Sequence, residues 1–131
     1  MINATSMVFI DSRLSNLEAV IAGLAQGSRW VVIDRQEDGL SQMARALSGV
    51  RGLSSIQVLS HGGPGSLLLG SGSITMDTLS LRADELARIG AALSEQGDLL
   101  LYGCEVGLGT EGASFIGLLA QLTGADVAAS T

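Results

Sequence analysis

Short apolar runs alternate with stretches of helical periodicity along this chain. Five runs have the near-continuous hydrophobicity of buried strands, at residues 7–11, 30–34, 55–60, 98–102 and 125–129. Between them, apolar residues recur every three or four positions in four stretches, which predicts helices at about 15–27, 40–50, 80–96 and 112–122. This alternation predicts an α/β domain with a mostly parallel sheet of about five strands, covered by helices on both faces.

A glycine- and serine-rich segment interrupts the alternation after the third strand. Residues 66–76 carry two short apolar runs around a Gly-Ser turn, which predicts a small β-hairpin. The 131 residues fit a single domain, which we place at residues 7–131 after an N-terminal extension of residues 1–6. Since the fifth strand lies at the last residues, we expect the domain to be truncated on its C-terminal side.

Composition and charge exclude several classes of function. Hydrophobic residues make up 47% of the chain and aromatic residues 3%, so the core must be aliphatic. The net charge of −6 disfavours a nucleic-acid partner, which needs a dense cationic face. No apolar run approaches the ~20 residues of a membrane-spanning helix, and no signal peptide is visible, so we expect no membrane insertion. One cysteine and one histidine supply neither an intrachain disulfide nor the ligands of a structural zinc site.

The only histidine and the only cysteine both follow predicted strands. His61 comes directly after residues 55–60, and Cys104 comes two residues after 98–102. Because parallel strands joined by right-handed crossovers end on one edge of the sheet, we expect both side chains at that edge. A thiol attacks a carbonyl as its thiolate, and a neighbouring imidazole can take up the thiol proton. The pair therefore indicates nucleophilic catalysis, although each residue alone is more often structural.

Neighbouring residues extend this hypothesis. The backbone N–H groups of Gly62 or Gly63 and of Cys104 are candidates for an oxyanion hole. Asp11 and Asp34 end the first two predicted strands, where they either recognise a basic substrate residue or, as is more common, terminate the strand and cap the helix that follows. The segment from Gly107 to Gly112 matches the Gly-x-Gly-x-x-Gly pattern of dinucleotide sites. Cys104, Glu105 and Val106 intervene between the strand end at Gly103 and this segment, and Glu111 would repel a pyrophosphate. We expect no cofactor and no metal.

Two blocks of the sequence resemble the caspase-like cysteine peptidases, which include caspases, legumains, gingipains, clostripain and separase. Residues 56–62 read Ile-Gln-Val-Leu-Ser-His-Gly, and residues 99–104 read Leu-Leu-Leu-Tyr-Gly-Cys. More closely, residues 7–131 resemble a bacterial domain of unknown function found near the N-terminus of giant surface adhesins and repeat-rich secreted proteins. The matching stretches are residues 8–12, 60–62, 100–104 and 122–131.

The resemblance implies a caspase-like three-layer α-β-α sandwich and an extracellular or cell-surface location. It also implies that Cys104 is the nucleophile of a cysteine endopeptidase, that His61 is its general base, and that the Gly62 and Cys104 amides hold the oxyanion. The substrate would be a peptide segment of the parent chain or of a neighbouring surface protein. The alternative is a catalytically inactive caspase-like module that serves interaction or assembly in an adhesin.

Overall fold

A computed structural model describes residues 6–24, 26–103 and 105–130 of the chain. The described residues form eight strands and five helices. The strands are β1 (Ser6–Asp11), β2 (Arg29–Ile33), β3 (Leu53–Leu59), β4 (His61–Gly63), β5 (Ser66–Leu69), β6 (Gly72–Ile74), β7 (Leu93–Tyr102) and β8 (Asp126–Ala129). The helices are α1 (Leu17–Ala22), α2 (Gly39–Ala46), α3 (Met76–Ser80), α4 (Ala83–Ala91) and α5 (Gly109–Thr123).

The main sheet has five parallel strands in the order β2-β1-β3-β7-β8. Apolar residues at every second position of the central strands point to the same face, where Phe9, Val58 and Leu101 lie side by side. All three are almost completely buried. The predicted α/β fold with a mostly parallel five-stranded sheet is confirmed, and all strands end on the same edge.

Helices lie on both faces of this sheet. Helices α2, α3, α4 and α5 contact one another and cover the face that carries Phe9. The chain moves from β1 to β2 in the opposite direction to the later crossovers, so the right-handed rule puts α1 on the other face. None of the α1 residues is fully buried, so α1 covers this face of the sheet only in part. No helix in the described part of the chain is long and apolar enough to span a membrane.

A second, antiparallel sheet of three strands, β4-β5-β6, follows β3. The predicted hairpin corresponds to β5 and β6, joined by a turn at Gly70 and Ser71. The structure adds β4, whose first residue is His61, as a third strand. His61 is therefore part of the small antiparallel sheet and does not lie in a loop before the hairpin.

The predicted helix at 80–96 is wrong at both ends, because α4 begins at Ala83 and residues 93–96 belong to β7. Helix α4 ends at Ala91, and β7 begins at Leu93. The cause at the C-terminal end is pairing with β3, because the Leu53 amide donates to the Ala92 carbonyl at 3.0 Å and draws the chain into the sheet. Gly97 permits this close approach, since a Cβ there would lie 2.8 Å from the Leu53 carbonyl oxygen. Tertiary pairing thus overrides the local helical periodicity.

Candidate functional site

The strands that lead to His61 and Cys104 are neighbours in the main sheet. Leu59 of β3 lies beside Tyr102 of β7, and one residue further the Ser60 amide donates to the Tyr102 carbonyl at 3.3 Å. Cys104 itself lies outside the described residues. Its chain neighbours Gly103 and Glu105 are described and lie at the carboxyl edge of the sheet. The topology therefore brings the segment on each side of Cys104 to the edge where His61 begins β4.

His61 is exposed at that edge and is fixed by its strand. It lies opposite Leu68 of β5, and the next residue, Gly62, lies opposite Leu67. Leu67 is buried in the core, so it anchors β5 while the histidine faces solvent. Gly62 is half-buried.

The chain is tightly packed just before Cys104. Gly103 is buried, and a Cβ there would lie 3.0 Å from Val106 Cγ2 and 3.1 Å from the Ser60 carbonyl oxygen. Ser60 is buried too, and its hydroxyl has no hydrogen-bond partner among the residues that the structure describes. A side chain at the position before the cysteine would therefore be crowded against Val106 and the end of β3.

The chain turns sharply just after Cys104. Glu105 has a φ of 58°, a left-handed conformation that costs a non-glycine residue about 1–2 kcal/mol. The turn is closed by the Leu108 amide, which donates to the Glu105 carbonyl at 2.9 Å. Strained backbone of this kind concentrates at functional sites, where the surrounding structure holds it in place. The hydrophobic pattern of the sequence does not predict this left-handed conformation at Glu105.

A hydrogen bond joins this turn to the small sheet. The Gly65 amide, in the β4–β5 connection, donates to the Val106 carbonyl at 3.0 Å. Together with the bond from Ser60 to Tyr102, it ties the residues on both sides of His61 to the residues on both sides of Cys104. Val106 is completely buried, so the tie is anchored in the core.

The glycine run after Cys104 serves close packing of the backbone. A Cβ on Gly112 would lie 2.2 Å from the Gly107 carbonyl carbon, and the Gly107 amide donates to the Ser130 carbonyl at 2.8 Å. Helix α5 therefore begins directly against the turn and the end of β8. Packing accounts for Gly107 and Gly112 of the Gly-x-Gly-x-x-Gly pattern, and Gly109 has open space around it but a left-handed φ of 71°.

Asp11 is fully buried at the end of β1 and has three partners. Its Oδ1 accepts from the Arg13 amide at 2.9 Å, and the Arg13 guanidinium contacts both carboxylate oxygens at 3.1–3.2 Å. Its Oδ2 accepts from the Gly70 amide at 2.9 Å. The carboxylate thus joins β1 to the turn between β5 and β6, and it is not presented to solvent.

Asp34 is exposed after β2 and caps its own turn. Its Oδ1 accepts from the Gln36 amide at 2.8 Å. The Gln42 side chain bonds the Asp34 backbone amide and carbonyl, each at 2.8 Å. The prediction that Asp34 caps the next helix is wrong, because Asp38 is the N-cap of α2 and accepts from the Ser41 amide at 2.8 Å. Recognition of a basic residue by Asp34 stays a prediction.

A shallow cleft lies between the β4–β5 connection and the starts of α3 and α5. It measures about 310 Å³ and includes Gly65, the residue that bonds the Val106 carbonyl. Its lining residues are Pro64, Gly65, Thr75, Met76, Asp77, Thr110, Glu111 and Ser114. The sequence patterns did not predict this cleft.

A family model matches residues 7–131, nearly the whole chain. Its description is "Domain of unknown function (DUF4347)". The chain belongs to this domain family. No curated protein matches the chain. Membership in the family confirms the resemblance to a domain of unknown function over residues 7–131.

Proposed function

We propose that the domain is a caspase-like cysteine peptidase with Cys104 as nucleophile and His61 as general base. The observation that carries the proposal is the backbone connection between the two segments. Ser60 is bonded to Tyr102 and Gly65 to Val106, so the chain before and after His61 contacts the chain before and after Cys104. The left-handed conformation of Glu105, next to the nucleophile, supports it further.

The reaction we propose is acyl transfer from a peptide bond to water. The Cys104 thiol loses its proton to the His61 imidazole, and the thiolate sulfur forms a bond to the substrate carbonyl carbon. The Gly62 and Cys104 amides donate to the carbonyl oxygen as it becomes negative. The carbon–nitrogen bond breaks, and the leaving amine takes the proton from His61. Water then adds to the thioester and gives up a proton to His61, and the carbon–sulfur bond breaks to release the acid and restore the thiol.

The substrate we propose is an extended segment of the parent chain or of a neighbouring protein on the cell surface. The shallow cleft beside Gly65 supports a peptide ligand, since it opens next to the connection that follows β4. The net charge of −6 supports a protein substrate over a nucleic acid. An extracellular or cell-surface location belongs to the same proposal.

The experiment is covalent trapping with peptidyl acyloxymethyl ketones that vary in the residue next to the reactive carbon. Intact-protein mass spectrometry measures the adduct, and peptide mapping locates it. We expect an adduct on Cys104 that depends on the peptide sequence, with strong loss in His61→Ala and complete loss in Cys104→Ser. Cleavage of matching peptides, followed by mass spectrometry, would then define the specificity.

Two variants make the result decisive. Asp126→Asn removes an exposed carboxylate at the start of β8 and should leave trapping unchanged. His61→Gln keeps a polar side chain of similar size but provides no base. Adducts that form equally in wild type and in both His61 variants would contradict the proposal, because they would show ordinary thiol reactivity.

A second candidate function, an interaction module of an adhesin, is favoured by the outer face of β7 and β8. Tyr102 is 49% exposed there, and the Ala128 side chain on the same face is exposed as well. Parallel sheets usually have both faces covered, so an open half-face suits a protein partner. This candidate predicts that Tyr102→Glu reduces association with the parent protein while Cys104→Ser has no effect, measured by light scattering of the mixed proteins.

A further inference from the structure

We infer that Asp11 is a positioning residue for His61 and that it acts through the small sheet. The inference rests on the proposed function, because the position of His61 matters only if the imidazole is the base. It assigns Asp11 a role different from recognition of a basic substrate residue.

The first step is the burial of the Asp11 carboxylate. The side chain is 0% exposed, and a buried carboxylate is stable only when its oxygens are paired and hydrogen-bonded. Arg13 supplies the positive charge and a backbone amide, and both come from the turn directly after β1. The Gly70 amide supplies the remaining donor and comes from 59 residues away in the sequence. The hydrogen bond from Gly70 is therefore the one that connects the Asp11 carboxylate to another element, the turn between β5 and β6.

The second step is the fit of the Gly70 turn against the start of α2. A Cβ on Gly70 would lie 2.3 Å from the Glu37 carbonyl oxygen, and its φ of 67° is left-handed. The Ser71 amide donates to the same Glu37 carbonyl at 2.8 Å. The Gly70 turn therefore packs closely against the residues that precede α2. The Asp11 carboxylate holds the turn in this place from the side of β1.

The third step leads from the turn to the histidine. Gly70 lies two residues beyond Leu68, and Leu68 is the residue directly opposite His61 in the β4–β5 pair. A displacement of the Gly70 turn moves β5 and, with it, the strand that carries His61. Misplacement by about 1 Å can cost 10²-fold in rate even when its cause is far from the chemistry. Asp11 thus holds the end of β5 that lies beside His61.

The test compares Asp11→Asn with wild type, His61→Ala and Asp126→Asn. An amide keeps the shape of the carboxylate but presents an N–H group to Gly70 or to Arg13, so one of these donors loses its acceptor. The rate of Cys104 alkylation by iodoacetamide is measured across pH, at a temperature where circular dichroism shows every variant folded. We expect Asp11→Asn to lose at least about tenfold in rate at neutral pH and to approach the pH profile of His61→Ala.

Asp126→Asn is the matched control, since it removes one exposed negative charge from the other side of the sheet. Its alkylation rate should stay within about twofold of wild type, as is usual for surface substitutions. A folded Asp11→Asn variant with the wild-type pH profile would overturn the inference. Identical profiles for wild type and His61→Ala would instead overturn the proposed function, so the two failures are distinguishable.

Hydrogen exchange in the wild-type protein decides the matter if Asp11→Asn does not fold. The inference predicts that the Gly70 amide and the amides of the β4–β5 pair exchange through one common opening, because the turn and the pair move together. Separate opening, with Gly70 exchanging fast while the β4–β5 amides stay protected, would show that the contact with Asp11 does not hold the strand of His61.

Discussion

Arg82 links the start of α4 to the start of α2 and gives the sharpest prediction about stability. Its guanidinium donates to both oxygens of Asp38, at 2.9 and 2.5 Å, and contacts both oxygens of Glu85. It also donates to the Ser41 hydroxyl at 3.0 Å. Because of these contacts, the pKa values of Asp38 and Glu85 lie below their usual 3.8 and 4.5 and that of Arg82 is raised. We predict that Arg82→Gln destabilises the fold.

The expected loss of unfolding free energy in Arg82→Gln follows from the solvent exposure of the paired side chains. The Asp38 side chain is 45% exposed, so solvent screening reduces its pairing with Arg82 to about 0.5 kcal/mol. Glu85 and Arg82 are 23% and 22% exposed, and hydrogen bonds between partly buried charged groups contribute about 1.5 kcal/mol. The sum predicts a loss of about 2 kcal/mol at pH 7, measured by urea unfolding followed by circular dichroism.

The loss depends on pH in a definite direction. Since the folded-state pKa values of both carboxyls are depressed, their stabilisation is fully present above the usual values. It declines as pH falls below those values and is lost as pH passes through the depressed folded-state values. The difference between wild type and Arg82→Gln should therefore shrink at about pH 2.5. Arg45→Gln is the control, because the Arg45–Glu37 pair is exposed by more than half on both sides and should lose under about 0.5 kcal/mol. A difference that does not shrink with acid, or an Arg82→Gln loss no larger than the control, would refute this reasoning.

Three glycine-related predictions concern packing and backbone strain. Gly90→Ala should destabilise by at least about 2 kcal/mol, because the new Cβ would lie 1.8 Å from the Thr123 carbonyl oxygen between α4 and α5. Gly117→Ala in α5 meets open space and should stabilise by up to about 1 kcal/mol. Glu105→Gly relieves the left-handed conformation and should stabilise by about 0.5–1 kcal/mol. Urea unfolding checks all three, and a reversed sign for any of them would contradict the contacts described.

The strands of the main sheet were predictable because each one lies in a short apolar run that packs against the core. Phe9 and Val58 lie in such runs, and the run itself predicts a parallel sheet. The start of β7 was not predictable, since residues 93–97 have helical periodicity and join the sheet only through pairing with Leu53. Strand β4 was missed for a related reason, because His61 and Gly62 have no strand-like pattern and gain their pairing from β5.

Only two features of the candidate site were predictable: the types of its residues and the edge of the sheet at which they lie. The carboxyl ends of parallel strands share one edge, so His61 and the segment around Cys104 were expected there. The bond from Gly65 to Val106 and the strain at Glu105 depend on the backbone path and have no signature in single residues. The difference between Asp11 and Asp34 had no sequence signal either, since both follow an apolar strand but only Asp11 is buried with a long-range partner.

The most direct test of the account is the pH dependence of Cys104 alkylation by iodoacetamide in wild type and in His61→Ala. The account predicts a wild-type thiol whose pKa lies well below the ~8.5 of a free cysteine, and a return toward that value when His61 is removed. An unshifted or unreactive thiol in both proteins would contradict a catalytic pair and would favour the interaction module on the outer face of β7 and β8.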